Sequence, residues 1–414
     1  MDLYEDAKRI IDHSIHAVLP DVAVRRALKE HPFESPVTVI AIGKAAWRMA
    51  NAASEALGDL VKAGVVITKY GHSEGAIPCM DIYEAGHPVP DANGVDAARH
   101  ALALVDSLTE SDVVVFLVSG GGSALFELPL DGISLEDIAG MTRQLLACGA
   151  DIVEINTIRK HLSAVKGGRF AQRCAPARVL SVVLSDVLGD PLDSIASGPS
   201  YPDSSTCRDV KDIIARYDLQ VHERVLAALA LETPKELPHT EHIITGNVSA
   251  LCHAAMDKAK ELGYTPLLLT TTLNCEAREA GTMLASIARE IRDSSNPADA
   301  PCAVILGGET VVHLRGHGKG GRNQELALAA AKGIDGLDNT LIFSLGSDGT
   351  DGPTDAAGGI VTGQFARNCR EKGLSIDDYL VDNDAYNILA QAGGLLVTGP
   401  TGTNVNDLTV LLCR

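Results

Sequence analysis

The sequence lacks the features that mark membrane, secreted or metal-finger proteins. Its nine cysteines form no close pair and no C-x-x-C motif, which argues against disulfides and zinc ligands and indicates reduced core residues. No apolar run approaches the length of a membrane span. The first twenty residues show an amphipathic helix pattern without the basic start of a signal peptide. These absences lead us to expect a cytoplasmic protein.

Positive charge is also scarce, because 35 lysines and arginines face 54 aspartates and glutamates, for a formal net charge of -19. Such a surface repels nucleic acid and anionic membranes, so we expect neither as a partner. The expected partners are small-molecule substrates, and an anionic substrate would need a local basic site. The sequence does not determine the oligomeric state, and a homo-oligomer is one of the alternatives.

What the sequence does contain is an alternation of apolar strands and helices. Continuous Val, Leu and Ile runs occur at 37–43, 63–70, 112–119 and 178–187, with helical patterns between them. Such runs are typical of a mostly parallel sheet that is covered on both faces. We therefore expect an α/β fold with mostly parallel sheets and a Rossmann-like N-terminal domain.

The length of 414 residues predicts two α/β domains. A polar stretch with two prolines at 231–242 indicates the boundary, so we expect domains at 1–237 and 238–414. In the second half, the runs 302–307 and 310–315 are separated by Gly308 and Glu309 and predict a β-hairpin.

Glycines cluster where the predicted strands end, at 42–46, 119–124, 245–247 and 347–352. Ligands bind outside the carboxyl ends of parallel strands. A tight turn explains any one of these loops, but four of them, several with charged side chains, favour a ligand. The stretch SGGGSA offers bare backbone N–H groups and a hydroxyl to an oxyanion. It predicts phosphate contacts by Ser119, Gly120, Gly121, Gly122 and Ser123.

Three basic side chains lie in or beside these glycine-rich loops. Lys44 follows Gly43 at a strand end, where a lysine opposes the helix dipole. A solvated surface lysine is the plain alternative, and the neighbouring glycine favours a ligand contact. The stretch GHGKGGRNQE places Lys319 and Arg322 at a helix entry, where an arginine can pair with phosphate or carboxylate. This arrangement predicts an anion clamp.

Two familiar nucleotide motifs do not account for these loops. Gly316, Gly318 and Gly321 match G-x-G-x-x-G, but the preceding segment carries Glu309 and Arg315 instead of a buried apolar strand. We therefore set the dinucleotide interpretation aside. The sequence contains no G-x-x-x-x-G-K-[ST] motif, which excludes a P-loop enzyme.

Aspartates follow strands in two further loops, at 185–199 and 346–359. Turn chemistry explains either loop alone. Together, in a chain with phosphate-like loops, they suggest magnesium and a catalytic base. We expect Asp190 as a catalytic residue and metal ligand and Asp351 as a metal ligand, with the assignment of base and ligand left open. The rival acids are Asp186, Asp193, Asp348 and Asp355.

The blocks IGKAAWRMA, VSGGGSALFELP, IRKHLSAVKGGRFA, SDVLGDPLDSIASGP, GGETVVHLRGHGKGGRNQELALAAA and SDGTDGPTDAAGGIV together resemble the glycerate 2-kinases with a MOFRL C-terminal region. The resemblance spans nearly the whole chain. It implies ATP-dependent phosphorylation of the 2-hydroxyl of D-glycerate to give 2-phosphoglycerate, with a divalent metal such as Mg²⁺. It also implies a site in the cleft between two domains, with Lys44 and Arg322 as the essential basic residues.

The resemblance and the loops together define the remaining binding residues that we expect. A second phosphate contact is predicted for Lys166, which precedes two glycines. The other predicted substrate-binding or phosphate-binding residues are Asn247, Glu309, Lys319 and Asn323. Two alternative functions stay open: a hydroxypyruvate reductase using NAD(P)H, a name that members of the same family have carried, and a non-catalytic protein that binds a sugar acid.

Overall fold

The structure, a computed structural model, describes residues 2–187, 189 and 191–414. The strands are, in chain order, β1 (Val37–Ile42), β2 (Val61–Lys69), β3 (Met80–Ala85), β4 (Val113–Val118), β5 (Arg178–Leu184), β6 (Thr240–Gly246), β7 (Thr265–Leu273), β8 (Cys302–Gly308), β9 (Thr340–Gly346), β10 (Gly358–Thr362), β11 (Leu395–Leu396) and β12 (Asp407–Cys413).

The helices are α1 (Leu3–Ala17), α2 (Pro20–Glu30), α3 (Ala46–Leu57), α4 (Ala92–Val105), α5 (Gly122–Leu125), α6 (Leu135–Ala147), α7 (Ile152–Leu162), α8 (Arg169–Cys174), α9 (Cys207–Arg216), α10 (Glu223–Leu229), α11 (Val248–Glu261), α12 (Ala277–Ser294), α13 (Arg322–Gly333), α14 (Phe365–Glu371), α15 (Ile376–Val381) and α16 (Ala385–Ala392). None of the helices described is both long and apolar enough to traverse a lipid bilayer.

The chain forms two compact units. The first unit comprises Pro20–Ser185 and Asp190–Thr245, and the second comprises Met1–Leu19, Asp186–Gly189 and Gly246–Arg414. The first unit ends after 237 because β6 extends its sheet, and α1 joins the second unit because it packs against α11. The domain boundary that we expect from the sequence, between residues 237 and 238, remains a prediction.

The sheet of the first unit has the strand order β3-β2-β1-β4-β5-β6. Strands β1 to β5 pair in parallel, which confirms the predicted parallel, Rossmann-like arrangement. Alternate residues of β1 belong to different cores: Ile40 and Ile42 to one, Val39 and Ala41 to the other. Both faces of the sheet are therefore covered, as the continuous apolar runs predicted.

The strand order of this sheet reverses between β1 and β4, which are neighbours although β2 and β3 lie between them in sequence. The last residue of β1, Ile42, is in register with Val118, the last residue of β4. Ligands of open α/β sheets bind at the carboxyl ends of strands at such a reversal. The fold thus places the loops after β1 and β4 where a ligand is expected.

The sheet of the second unit is mixed, with the order β11-β10-β9-β12-β8-β7. Four of its six strands, β7, β8, β9 and β11, run in one direction, and β10 and β12 run in the other. The predicted hairpin at 302–315 is wrong. Both edges of β8 are taken, by β7 and by the C-terminal strand β12, so no edge remains for residues 310–315. Val311 forms only an isolated bridge to Glu276.

Candidate active site

The loops after β1 and β4 interlock at the reversal of the first sheet. The N–H of Lys44 donates to the carbonyl of Gly120 at 2.9 Å, and the N–H of Ala45 donates to Ser119 Oγ at 3.1 Å. Ser119 Oγ in turn donates to the carbonyl of Ile42 at 3.2 Å. The buried Ser119 hydroxyl therefore ties the two loops together, while the Lys44 side chain is exposed to solvent.

Close neighbours account for two of the glycines in SGGGSA. Gly121 has φ +85°, a backbone conformation that favours glycine, and a Cβ there would make a tight contact of 3.0 Å with Cδ2 of His87. A Cβ on Gly122 would lie 2.7 Å from Cβ of Ala196. The bare backbone is thus needed for packing, and a phosphate contact is a further use of it that stays a prediction.

Basic side chains from the loops after β2 and β3 join Lys44. A ring nitrogen of His72, Nδ1, lies 3.1 Å from the carbonyl oxygen of Lys44. Burial, together with the positive charges of Lys44, Lys69 and His72, lowers the pKa of His87. Lys44, Lys69, His72 and His87 therefore form a basic cluster at the carboxyl ends of β1, β2 and β3, and this cluster suits an anion.

Sequence reasoning missed the two histidines of the basic cluster. His72 follows β2, but a lysine and a tyrosine separate it from the apolar part of that strand, and neither was considered as a site residue. His87 follows β3, whose residues are largely only half-buried, so the strand shows no continuous apolar run. Their position just after parallel strands was the signal that could have found them.

Lys166 is buried and paired inside the first unit. Its side chain is fully buried, with Nζ 2.6 Å from Oε2 of Glu127 and 3.0 Å from the carbonyl oxygen of Phe126. Burial lowers the pKa of Lys166 to about 8, although Glu127 acts in the opposite direction. The predicted phosphate contact is not supported, because the ammonium group neutralises a buried carboxylate instead.

We expect Lys166→Met to destabilise the first unit by about 3–5 kcal/mol, because Glu127 would become a buried charge without its partner. The double variant Lys166→Met with Glu127→Leu should recover much of that loss, since it removes both charges. Urea unfolding of the three proteins measures the difference. A Lys166→Met protein of normal stability with a raised KM for ATP or glycerate would instead support the phosphate contact.

Arg322, the first residue of α13, is clasped by two acids of the second unit. Its Nε and Nη2 donate to the two carboxylate oxygens of Asp407 at 2.6 and 2.9 Å, and Nη1 lies 3.2 Å from Oε1 of Glu309. Such a paired contact fixes the plane of the guanidinium group. Burial raises the pKa of Asp407, while Arg322 acts in the opposite direction. Arg322 keeps a third of its side chain exposed, so its orientation is set while part of it remains accessible.

The glycine-rich loop before α13 is held by three consecutive residues, Asp382, Asn383 and Asp384. Their oxygens accept hydrogen bonds from the backbone N–H groups of Arg315, Gly316, His317, Gly318 and Lys319. A Cβ on Gly316 would lie 2.3 Å from Asp382, and one on Gly318 would lie 2.3 Å from Asp384. These glycines therefore make room for an acidic segment of the same unit, and their N–H groups are already paired.

Three further predicted binding residues have partners within the second unit. Asn247 caps α11 by accepting from the N–H of Ala250 at 2.8 Å. Asn323 is buried and accepts from Ser344 Oγ at 2.5 Å. The exposed Lys319 places Nζ 4.2 Å from the ring centroid of Tyr386. Asn247 and Asn323 thus have structural roles. Lys319 is the one of these three residues with an exposed, charged side chain.

Asp351 caps α13 from a neighbouring loop. Its Oδ2 accepts from the N–H of Gln324 at 2.9 Å, and its Oδ1 accepts from the N–H of Asn323 at 3.2 Å. Burial raises the pKa of Asp351 to about 6, although both N–H groups act in the opposite direction. This geometry is that of a helix cap and does not support the predicted metal role. Asp190, the other predicted ligand and catalytic acid, lies outside the described residues.

The raised pKa predicts that Asp351 stabilises the second unit more at low pH. The folded unit holds the proton with a pKa of about 6, against an ordinary 3.8. This contribution is therefore full below pH 3.8 and is lost as pH rises through about 6. Between pH 7 and pH 5, the stability of the wild type relative to the non-titrating Asp351→Asn variant should rise by roughly 1.5 kcal/mol. Urea unfolding at both pH values measures this difference, and a constant difference would contradict it.

A cavity of about 660 Å³ lies beside the Arg322 clasp in the second unit. Arg322 and Glu309 contribute charge to its wall, and Val311 and Leu314 contribute apolar surface. The hydroxyl of Thr310, which also lines the cavity, is buried without a hydrogen-bond partner. A mostly apolar wall with a few converging polar groups is typical of a small-molecule site.

Comparison with known proteins adds to this geometry. A domain of unknown function, DUF4147, matches residues 6–230, and the MOFRL family matches residues 302–407. The chain is 55% identical to a D-glycerate 2-kinase of Thermotoga maritima over 404 residues, which cover 98% of this chain and 97% of that protein. It is 42% identical to a glycerate 2-kinase of Pyrococcus horikoshii over 434 residues, 100% and 98% of the two chains.

A solved structure and a differently named relative also match. A crystal structure of a glycerate kinase from Thermotoga maritima superposes with a TM-score of 0.97 at 54% identity, covering 100% of this chain and 99% of that chain. A protein of Agrobacterium vitis named putative hydroxypyruvate reductase is 40% identical over 413 residues, 98% of this chain and 93% of that protein. The more similar relatives thus carry kinase names.

Proposed function

This chain belongs to the glycerate 2-kinase family, and from that membership we infer that it is an ATP-dependent D-glycerate 2-kinase. The reaction transfers the γ-phosphoryl group of ATP to the 2-hydroxyl of D-glycerate and gives 2-phosphoglycerate and ADP. The observation that carries the conclusion is the 55% identity to a D-glycerate 2-kinase across 98% of this chain. The basic cluster around Lys44 and the oriented guanidinium group of Arg322 are consistent with this reaction.

The basic cluster of Lys44, Lys69, His72 and His87 is proposed to bind an anionic group of the substrates. Phosphoryl transfer is catalysed mainly by positioning and by electrostatic stabilisation of charge on the moving group. Lys44 is suited to this role because its side chain is exposed while its backbone is held by Gly120. We assign to Lys44 the neutralisation of charge on the transferring phosphoryl group or on the glycerate carboxylate.

Arg322 is proposed to pair with a second anionic group. Its guanidinium group is oriented by Asp407 and contacts the half-exposed Glu309. Nε and Nη2 of Arg322 donate to Asp407. The remaining edge of the guanidinium group, with Nη1, therefore faces Glu309 and the cavity. A fixed planar donor distinguishes phosphate or carboxylate from less symmetric groups.

Mg²⁺ is proposed to act together with the nucleotide. Mg²⁺ usually takes one or two carboxylates together with phosphate oxygens, and when bound to ATP it neutralises charge on the phosphates. Asp351 does not fit as its ligand, because both carboxylate oxygens cap α13. Asp190 keeps its proposed role as metal ligand or base.

The reductase alternative gains no support from the loop that suggested it. A dinucleotide loop binds pyrophosphate through free backbone N–H groups. In the loop through Gly316 and Gly318, the N–H of Gly316 already donates to Oδ1 of Asn383, and the N–H of Gly318 donates to the carbonyl of Asp382. The loop also follows a segment without a paired strand.

One pair of assays separates the kinase from the reductase. The purified protein is incubated with D-glycerate, ATP and Mg²⁺ while ADP is measured, and in parallel with hydroxypyruvate and NAD(P)H while NAD(P)H oxidation is measured. We expect ADP formation that depends on glycerate, and no NAD(P)H oxidation above background. Oxidation of NAD(P)H without ADP formation would overturn the proposed function, and neither reaction would favour a binding protein.

A further inference from the structure

Three metal-ligating side chains that the proposed function does not use converge in the first unit. They are His161 on α7, Cys207 at the start of α9 and Glu232 in the segment after α10. One ligand atom of each, the imidazole nitrogen, the sulfur and a carboxylate oxygen, lies within 4.8 Å of the other two. The three residues are far apart in sequence, so no motif indicated the cluster.

The histidine of this cluster has the orientation of a metal ligand. His161 is fully buried, and its Nδ1 lies 3.0 Å from the carbonyl oxygen of Thr157. Nδ1 therefore carries the proton and donates it to that carbonyl, which leaves the lone pair on Nε2. Nε2 is buried with no hydrogen-bond partner, 3.6 Å from Oε1 of Glu232. Metal-bound histidines almost always donate their other N–H in this way.

The other two side chains are held in place by the backbone of α9. The N–H of Cys207 donates to Oε2 of Glu232 at 3.3 Å, which turns the carboxylate toward the sulfur. The residue before it, Thr206, forms the capping box of α9 with Asp209. The helix start that carries Cys207 is therefore rigid, and the carboxylate is oriented by a hydrogen bond as in metal sites with a supporting shell.

Nearby cations are occupied by other oxygens. Lys235 lies 3.0 Å from Oε1 of Glu232, but its Nζ also donates to Thr233 Oγ1 and to the carbonyls of Asp203 and Ser205. Arg169 donates to the carbonyls of Lys160, Ser163 and Leu231. The one carboxylate of the cluster, that of Glu232, thus shares its ammonium partner Lys235 with three other oxygens.

We propose that His161 Nε2, Cys207 Sγ and a carboxylate oxygen of Glu232 bind Zn²⁺, with water as the fourth ligand. Thiolate and imidazole favour zinc over Mg²⁺ or Ca²⁺, which prefer oxygen ligands. On binding, the Cys207 thiol releases its proton to solvent and its sulfur lone pair coordinates the metal. Bond lengths of about 2.0–2.3 Å require only a modest contraction of the cluster. The ion would link α7, α9 and the segment after α10.

Zinc titration of the full-length protein tests this site. The protein is stripped with a chelator, returned to excess Mg²⁺ without ATP, and titrated with Zn²⁺ in a calorimeter and with Co²⁺ in a spectrophotometer. We expect one tight equivalent per chain, a thiolate-to-cobalt charge-transfer band, and a rise in Tm of roughly 5 °C when zinc exceeds its Kd a hundredfold.

Two cysteine variants provide the matched comparison. Cys207→Ser should weaken zinc binding more than about tenfold and abolish the cobalt band, while Cys148→Ser, an exposed cysteine of the same unit, should change neither. Both replacements are small, and circular dichroism is used to check that the two variants fold. Glu232→Gln is a second variant at the site. No tight equivalent in the wild type, or unchanged binding in Cys207→Ser, would overturn the proposal.

Discussion

Replacing Lys44 by alanine is expected to lower kcat for glycerate phosphorylation by about 100- to 1,000-fold with little change in stability. The large effect follows because the exposed ammonium group is assigned to the charge of the reacting anion. The small effect on stability follows because the backbone of Lys44, not its side chain, bonds to Gly120 and His72. Initial rates over a range of ATP and glycerate, together with urea unfolding, measure both quantities.

The control for Lys44 is Lys29→Ala, which removes an exposed lysine from the last turn of α2 and should leave kcat unchanged. If Lys44→Ala kept near-normal turnover, the assigned role would be wrong. A loss of activity accompanied by an equal loss of stability would instead point to a role in holding the loops.

Arg322→Lys is expected to lower kcat/KM by about 100-fold, even though the positive charge is retained. A lysine cannot make the two parallel hydrogen bonds to Asp407 and the contact with Glu309 at once. The paired geometry that orients the cation would be lost, and the buried Asp407 would be less well compensated. Steady-state kinetics with each substrate varied in turn measures the loss.

The comparison variant for Arg322 is Arg289→Lys, on α12, whose contacts are with Gly333 and Ser286 and which should behave as the wild type. Full activity and affinity of Arg322→Lys would show that a point charge is enough. The paired contact would then have no catalytic importance.

Four strands with continuous apolar runs were predicted from the sequence, and a half-buried strand without such a run was missed. The apolar runs of β1, β2, β4 and β5 are confirmed because each is covered by helices on both sides. The half-buried β3 lacks such a run. The hairpin prediction failed because β8 takes β12, more than 90 residues further along the chain, as its neighbour, and local spacing carries no information on that pairing.

For the site, sequence reasoning could place a residue but not its partner. Lys44 was predicted because it lies beside a glycine at a strand end, where a lysine opposes the helix dipole. Asp407, which orients Arg322 across 85 residues, has no local signal. The loop that contains Gly316 and Gly318 was interpreted as part of an anion clamp, because nothing in the sequence shows that Asp382 and Asp384 lie against these glycines.

The hydroxyl group of D-glycerate that receives the phosphoryl group is the decisive measurement for the proposed 2-kinase activity. The product formed from D-glycerate, ATP and Mg²⁺ is identified by ³¹P NMR against authentic 2-phosphoglycerate and 3-phosphoglycerate, with Lys44→Ala as the control for contaminating kinases. We expect 2-phosphoglycerate in the wild-type reaction and a greatly reduced amount with Lys44→Ala. Formation of 3-phosphoglycerate, or no phosphorylated glycerate at all, would contradict it.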